Sequence, residues 1–330
     1  MNSLSPFRSL LHLVLACFLS GLAFSALGMS LIPYLTGLSM DDLTQGLTLY
    51  GQGQAWDQWL LTAQVQTSNL AQGMFLLQAL TTLGFFVLPG FWLIQNRMDG
   101  RAQDQRHPLG GVEWWGRLGY QVMLSIVGLL ALLPLVYTLY HGNQALRLLS
   151  DSYPWIDAWV QAELEAARIV SLLLDQNSIP LAAASVLVLV LLPALGEELI
   201  FRGVLQPVLG QIWGRPQVAI WVSAVIFSAI HGQWLGFMPR CLLGALFGYL
   251  AYWSGSLWPA VGAHLANNGL SLMAYRWNWL NARTTAVDFQ APFQWNDAPV
   301  AWWIVLPATF VGFWLLKQFY NHSQPPSQRS

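Results

Sequence analysis

Residues 187–203 read LVLVLLPALGEELIFRG, and the apolar character extends from 179 to 204. A helix needs about 20 mostly apolar residues to cross a bilayer, and this stretch supplies them. It carries Glu197, Glu198 and Arg202 at its far end without becoming hydrophilic around them. Ionisable groups at membrane depth cost about 2.5–3.5 kcal/mol each on insertion scales, so they pair or they serve a function. The stretch therefore predicts a membrane helix and marks where polar chemistry is concentrated.

The rest of the chain agrees. Of its 330 residues 55% are hydrophobic and 9% charged, against about 25% charged in soluble domains. Apolar runs occur at about 10–36, 70–95, 118–140, 179–204, 217–235, 238–254, 257–276 and 299–319. They predict an all-α polytopic transmembrane helical bundle of about eight spans. Residues 1–178 read as an N-terminal transmembrane region of three spans plus an amphipathic loop helix, Ala158 to Leu174. Residues 179–276 read as a second region of four spans. Residues 277–330 hold an outer loop, the last span and a Pro/Ser/Gln-rich disordered tail. The first helix is read as retained, and Cys17 and Cys241, both in apolar segments, as unbridged.

Arg97, Arg101, Arg106 and Arg117 cluster in one loop, whereas Asp41, Asp42 and Asp57 occupy another that has no Lys or Arg. Basic loops stay cytoplasmic, which places both termini in the cytoplasm. Arg240, Arg276 and Arg283 are exceptions. The short loops suggest a bacterial inner membrane. With a net charge of −1 and no basic stripe, nucleic acid is not expected as a partner; the lipid bilayer is. The many Trp residues at span ends fit an interfacial belt. Gly244 and Gly248 form a GxxxG helix-packing face.

Almost all of the 14 basic and 15 acidic residues fall in loops or at span ends; Glu197, Glu198 and Arg202 do not. On a helix Glu198 and Arg202 are four apart in the favoured acid-first order, which makes them partners. Glu197 projects about 100° away and is left for another task. Two adjacent carboxylates in a low-dielectric site disfavour double ionisation, which suits one of them to acid–base work. Glu197 and His231 are equally far from a turn at Gly214, so two continuous antiparallel helices would bring them face to face. Phe227 lies one turn before His231 and can fix its ring. His264 and Asn268 share a helix face. Rise counting puts His264 several ångströms from the depth of His231, a mismatch that a tilt or a broken helix would have to absorb. An isolated intramembrane His, Asn or Glu–Arg pair can be purely structural.

The ordered set Glu-Glu-x-x-x-Arg, Phe-x-x-x-His and His-x-x-x-Asn resembles the CPBP family, which comprises CAAX prenyl proteases and bacteriocin-processing, Abi-like intramembrane endopeptidases. The resemblance covers about residues 180–275, and it implies that 179–276 is a CPBP-like catalytic core with an intramembrane active-site cavity. It implies a peptidase in which Glu197 is the general base activating a water, aided by His231. His264 and Asn268 would stabilise the oxyanion, and Glu198 and Arg202 would support the site. It implies no required cofactor. Zinc held by His231, His264 and Glu197 is an alternative, although the HExxH spacing is absent. The implied substrate is a peptide or a membrane-protein segment, with prenylated CAAX-type ends and leader peptides both open. Two other readings stay open. One is a non-proteolytic membrane scaffold or immunity protein of the same family. The other is a proton relay through Glu197 and His231.

Overall fold

The computed structural model describes residues 5–49, 59, 66–96, 109, 115–174, 178–282 and 300–323. Every regular element among them is helical. The chain runs through α1 (Pro6–Thr36), α2 (Met40–Leu49), α3 (Thr67–Gln95) and α4 (Trp115–Gln144), which continues as a 3-10 turn, Ala145–Ser152. There follow α5 (Pro154–Leu174), α6 (Ile179–Trp213) and α7 (Pro216–Ala229). A short 3-10 turn (Trp234–Gly236) then leads into α8 (Phe237–Ser254), α9 (Trp258–Ala282) and α10 (Trp302–Ser323).

Among the described residues, six helices are long and apolar enough to cross a membrane. They are α1, α3, α4, α6, α8 with its preceding turn, and α10. This is an integral membrane protein, and two of the eight expected spans are not among the six. α7 has 14 residues and rises about 21 Å, short of a hydrocarbon core of about 30 Å. α9 is long enough at 25 residues, but His264, Asn267 and Asn268 dilute its apolar character. The outer loop is expected to begin at 277, but α9 continues to Ala282; the rest of that loop, the Arg97–Arg106 loop and the last seven residues of the tail lie outside the described residues. Cys17 and Cys241 are free.

Three π turns interrupt the long helices, and each precedes a proline. The N–H of Leu88 bonds Leu83 O, that of Leu192 bonds Leu187 O, and that of Gln206 bonds Phe201 O, five residues back in each case. The next residues are Pro89, Pro193 and Pro207. A proline has no N–H to give, and its ring crowds the carbonyl four residues earlier. Widening the turn by one residue relieves the crowding and keeps the helix continuous.

α6 is the central helix. Its Leu199, Ile200, Phe201 and Val204 are buried against Leu93 and Ile94 of α3, Phe247 and Leu250 of α8 and Ala260 and Ala263 of α9. The crossing with α3 is close because it is lined by glycine: a Cβ on Gly196 would lie 2.9 Å from Phe86 Cβ, and one on Gly90 2.8 Å from Leu199 Cβ. The GxxxG face of α8 is close-packed in the same way. A Cβ on Gly244 would meet Phe227 at 3.0 Å, and one on Gly248 would meet Ile220 at 2.9 Å.

Candidate active site

Glu198 lies in the regular stretch of α6 (Leu192–Ile200) and Arg202 in the π turn that follows it, four residues on. Arg202 Nη1 donates to Glu198 Oε1 at 2.7 Å, with both side chains fully buried. Nη2 donates to the carbonyl of Gly244 on α8 at 2.8 Å. The guanidinium carbon also lies 4.7 Å from the centre of the Phe227 ring and 5.5 Å from that of Phe247, so aromatic faces take up part of its charge. The expected Glu198–Arg202 pair is present, locked to a second helix through Gly244.

Glu198 Oε1 accepts a further hydrogen bond, from His264 Nδ1 at 2.8 Å. An ionised carboxylate can only accept, so the Nδ1 proton points at Glu198 and Nε2 is the open nitrogen. That Nε2 lies 3.8 Å from Glu197 Oε2. The imidazole is stacked on Phe247, centroids 4.9 Å apart at 18°, with the Phe227 ring edge-on at 6.0 Å. Glu197 is 13% exposed, and its neighbour Glu198 is 0%. The two adjacent carboxylates therefore differ in kind: one is committed to Arg202 and His264, the other is accessible.

His231 sits just past the end of α7. Its Nδ1 bonds the carbonyl of Phe227 at 2.7 Å, and the Phe227 ring stands edge-on at 5.2 Å. A carbonyl cannot donate, so Nδ1 carries the proton and Nε2 is open here too. Phe227 thus orients His231 as expected. The direct pairing of Glu197 with His231 is not seen: no hydrogen bond or ion pair joins them, and the histidine beside Glu197 is His264. Equal counting from Gly214 fails for two reasons. The π turn at Phe201–Leu205 alters the rise of α6, and α7 stops before His231. Asn268 accepts a bond from Asn267 Nδ2 at 3.3 Å, so Asn267 is tied to its neighbour and not across helices.

The motif reading missed several contributors. The Gly244 carbonyl had no signal beyond the glycine spacing, and Phe247 looked like any apolar core residue. Arg240 had stood out only as a misplaced loop cation. It lies in the first turn of α8, donating to Gln233 O at 3.2 Å and Gln233 Oε1 at 2.8 Å. The amphipathic α5 packs onto the loop that follows His231. Trp159 stacks on Trp234 with centroids 5.5 Å apart at 27°, and Asn143 from α4 donates to Trp234 O at 3.1 Å. Burial raises the Glu163 carboxyl of α5 above the ordinary carboxylate range, with Arg240 and Arg147 pulling the other way.

Among the described residues no three His, Cys, Asp or Glu side chains gather closely enough to hold a metal ion.

Residues 179–270 match the model of a family described as Rce1-like, type II CAAX prenyl endopeptidase. That segment contains every residue of the polar constellation, and the match bears out the resemblance carried by the motifs. An uncharacterized protein of Bacillus subtilis strain 168, YpbD, is 33% identical over 94 residues, which are 27% of this chain and 43% of that protein. The matched stretch thus covers less than half the length of this curated relative. No solved structure matches.

Proposed function

Starting from the match of residues 179–270 to a family of prenyl endopeptidases, we propose that this chain is an intramembrane endopeptidase that hydrolyses a peptide bond with a glutamate-activated water. The observation that carries the reading is the division of labour between neighbouring carboxylates. Glu198 is held by Arg202 and His264, while Glu197 is partly exposed with only an open imidazole nitrogen beside it, at 3.8 Å. Glu197 takes a proton from water, and the hydroxide adds to the scissile carbonyl. The open Nε2 of His231 assists this transfer. The carbonyl oxygen becomes an oxyanion, which Asn268 and His264 stabilise. His264 donates from Nε2 when it carries both protons, with Glu198 holding the other one. Collapse of the intermediate breaks the C–N bond, and the proton held by Glu197 passes to the leaving amine.

The substrate is a peptide or membrane-protein segment, with lipidated CAAX-type ends and leader peptides as the first to try. The test is cleavage of a fluorogenic panel, prenylated ends included, by protein purified in detergent. Glu197→Gln is expected to lower kcat at least ~100-fold while the protein still elutes as a folded species. A zinc chelator is expected to leave the wild type active. Full activity in both Glu197→Gln and His231→Ala would sink the mechanism. Loss on chelation with recovery on added zinc would move Glu197, His231 and His264 to the role of ligands. Complementation of a deletion strain by Glu197→Gln would favour the scaffold reading. We place the protein in a bacterial inner membrane with both termini cytoplasmic. A carboxyl-terminal reporter that is active only in the cytoplasm checks the orientation.

A further inference from the structure

The face of α8 that turns away from Arg202 borders a cavity of about 560 Å³, within the roughly 300–1,000 Å³ usual for ligand sites. α8 has two stripes. Gly244 and Phe247 face the site just described, and Leu242, Leu246 and Trp253 line the cavity. The other walls come from α4, α7 and α10, represented by Leu139, Trp221 and Phe313.

The cavity follows from how α10 packs. It lies tight along α4, where a Cβ on Gly312 would be 2.5 Å from Leu132. It approaches α8 near its own end, through Trp253 against Tyr320 with centroids 5.4 Å apart. Between that contact and Leu242 runs an apolar wedge. Leu242 and Trp253 are eleven positions apart on α8, a rise of about 16 Å. Trp221 and Phe313 are 43% and 59% exposed, so the wedge opens outward, toward lipid. One charged side chain lines it: Lys317, which is also the chain's one lysine. Lys317 stands beside Tyr320 at the end where the aromatic rings close the wedge.

We propose that this groove is a lipid site holding one acyl chain of an anionic phospholipid, with the phosphate drawn to Lys317. A peptide is a poor occupant, because the apolar walls would leave its backbone groups without partners. A neutral lipid would fill the wedge but would not use the cation. The site stands on the membrane fold alone and does not depend on the peptidase reading. Because it backs the helix whose other face holds Gly244 and Phe247, its occupant would brace α8 from behind.

The experiment is native mass spectrometry of protein extracted from bilayers of equal phosphatidylglycerol and phosphatidylcholine. Wild type is expected to retain phosphatidylglycerol in excess. Lys317→Gln should reduce that excess roughly five-fold. Leu246→Trp, which fills the wedge, should remove bound lipid of both kinds, with elution on size exclusion reporting its fold. Should Leu246→Trp not fold, brominated phosphatidylglycerol supplies the second measurement: it should quench wild type more than Trp253→Phe. Equal retention of the two lipids, an excess unchanged in Lys317→Gln, or a lipid-free dimer with the groove closed by a second copy would each overturn the proposal.

Discussion

Arg202 holds Glu198 and the Gly244 carbonyl with two different nitrogens, 2.7 and 2.8 Å away. Removing it leaves a buried carboxylate without its cation and with only the bond from His264, and breaking a buried ion pair costs about 3–5 kcal/mol. Arg202→Ala should therefore lower the thermal unfolding temperature sharply in detergent. Arg202→Lys should recover only part of the loss, since an ammonium lacks the planar fork that reaches both partners. Glu163 provides a test through pH. Its carboxyl is raised by burial, so between its unfolded and folded values the native state holds the proton more often. Stability from this group is present below the unfolded value and falls as pH rises through the folded one. Glu163→Gln should flatten that part of the stability–pH curve, read as hydrogen exchange of α5, and a curve identical to wild type would contradict the assignment. At this scale the sequence was informative where partners lie on one helix. The Glu198–Arg202 pair follows from i, i+4 spacing. The bond from His264 to Glu198 spans 66 residues, and no spacing rule reaches that far.

The elements show what apolar runs leave open about a helix. α7 and α9 carry or flank the site histidines, and they are the two expected spans outside the six long apolar helices. A helix that buries polar groups inside a bundle need not be apolar all round, and a helix wedged among others need not cross the membrane. The α7–α8 contact is a place where shape dominates. A side chain at Gly248 must displace Ile220, 2.9 Å from the Cβ position, and Gln206 Oε1, at 2.8 Å. Gly248→Val should cost about 1–3 kcal/mol by overpacking and should reduce activity by shifting α8. Gly142→Ala is the control: its Cβ would meet nothing within 4 Å, and a helical Gly→Ala change should be neutral or slightly stabilising. Thermal unfolding of the two variants side by side checks both expectations. The GxxxG spacing was visible in the sequence, but the helix it packs against was not.

For the molecule as a whole, composition and the apolar runs were enough to establish a helical membrane protein, because a bilayer forces every backbone polar group to be satisfied within its own segment. They also singled out the residues that matter, since charge and amide groups are rare in such a chain and their placement carries information. Local partners were legible for the same reason: 3.6 residues per turn determines which side chains share a face. Tertiary structure decided the rest. It set His264 and not His231 beside Glu197, brought Gly244 O to Arg202 and stacked Phe247 on His264. It also laid α5 over the His231 loop and left a wedge behind α8. These outcomes depend on the rotation, depth and register of helices distant in sequence. Side-chain packing and the proline-linked π turns set those quantities, and no periodicity within one segment encodes them.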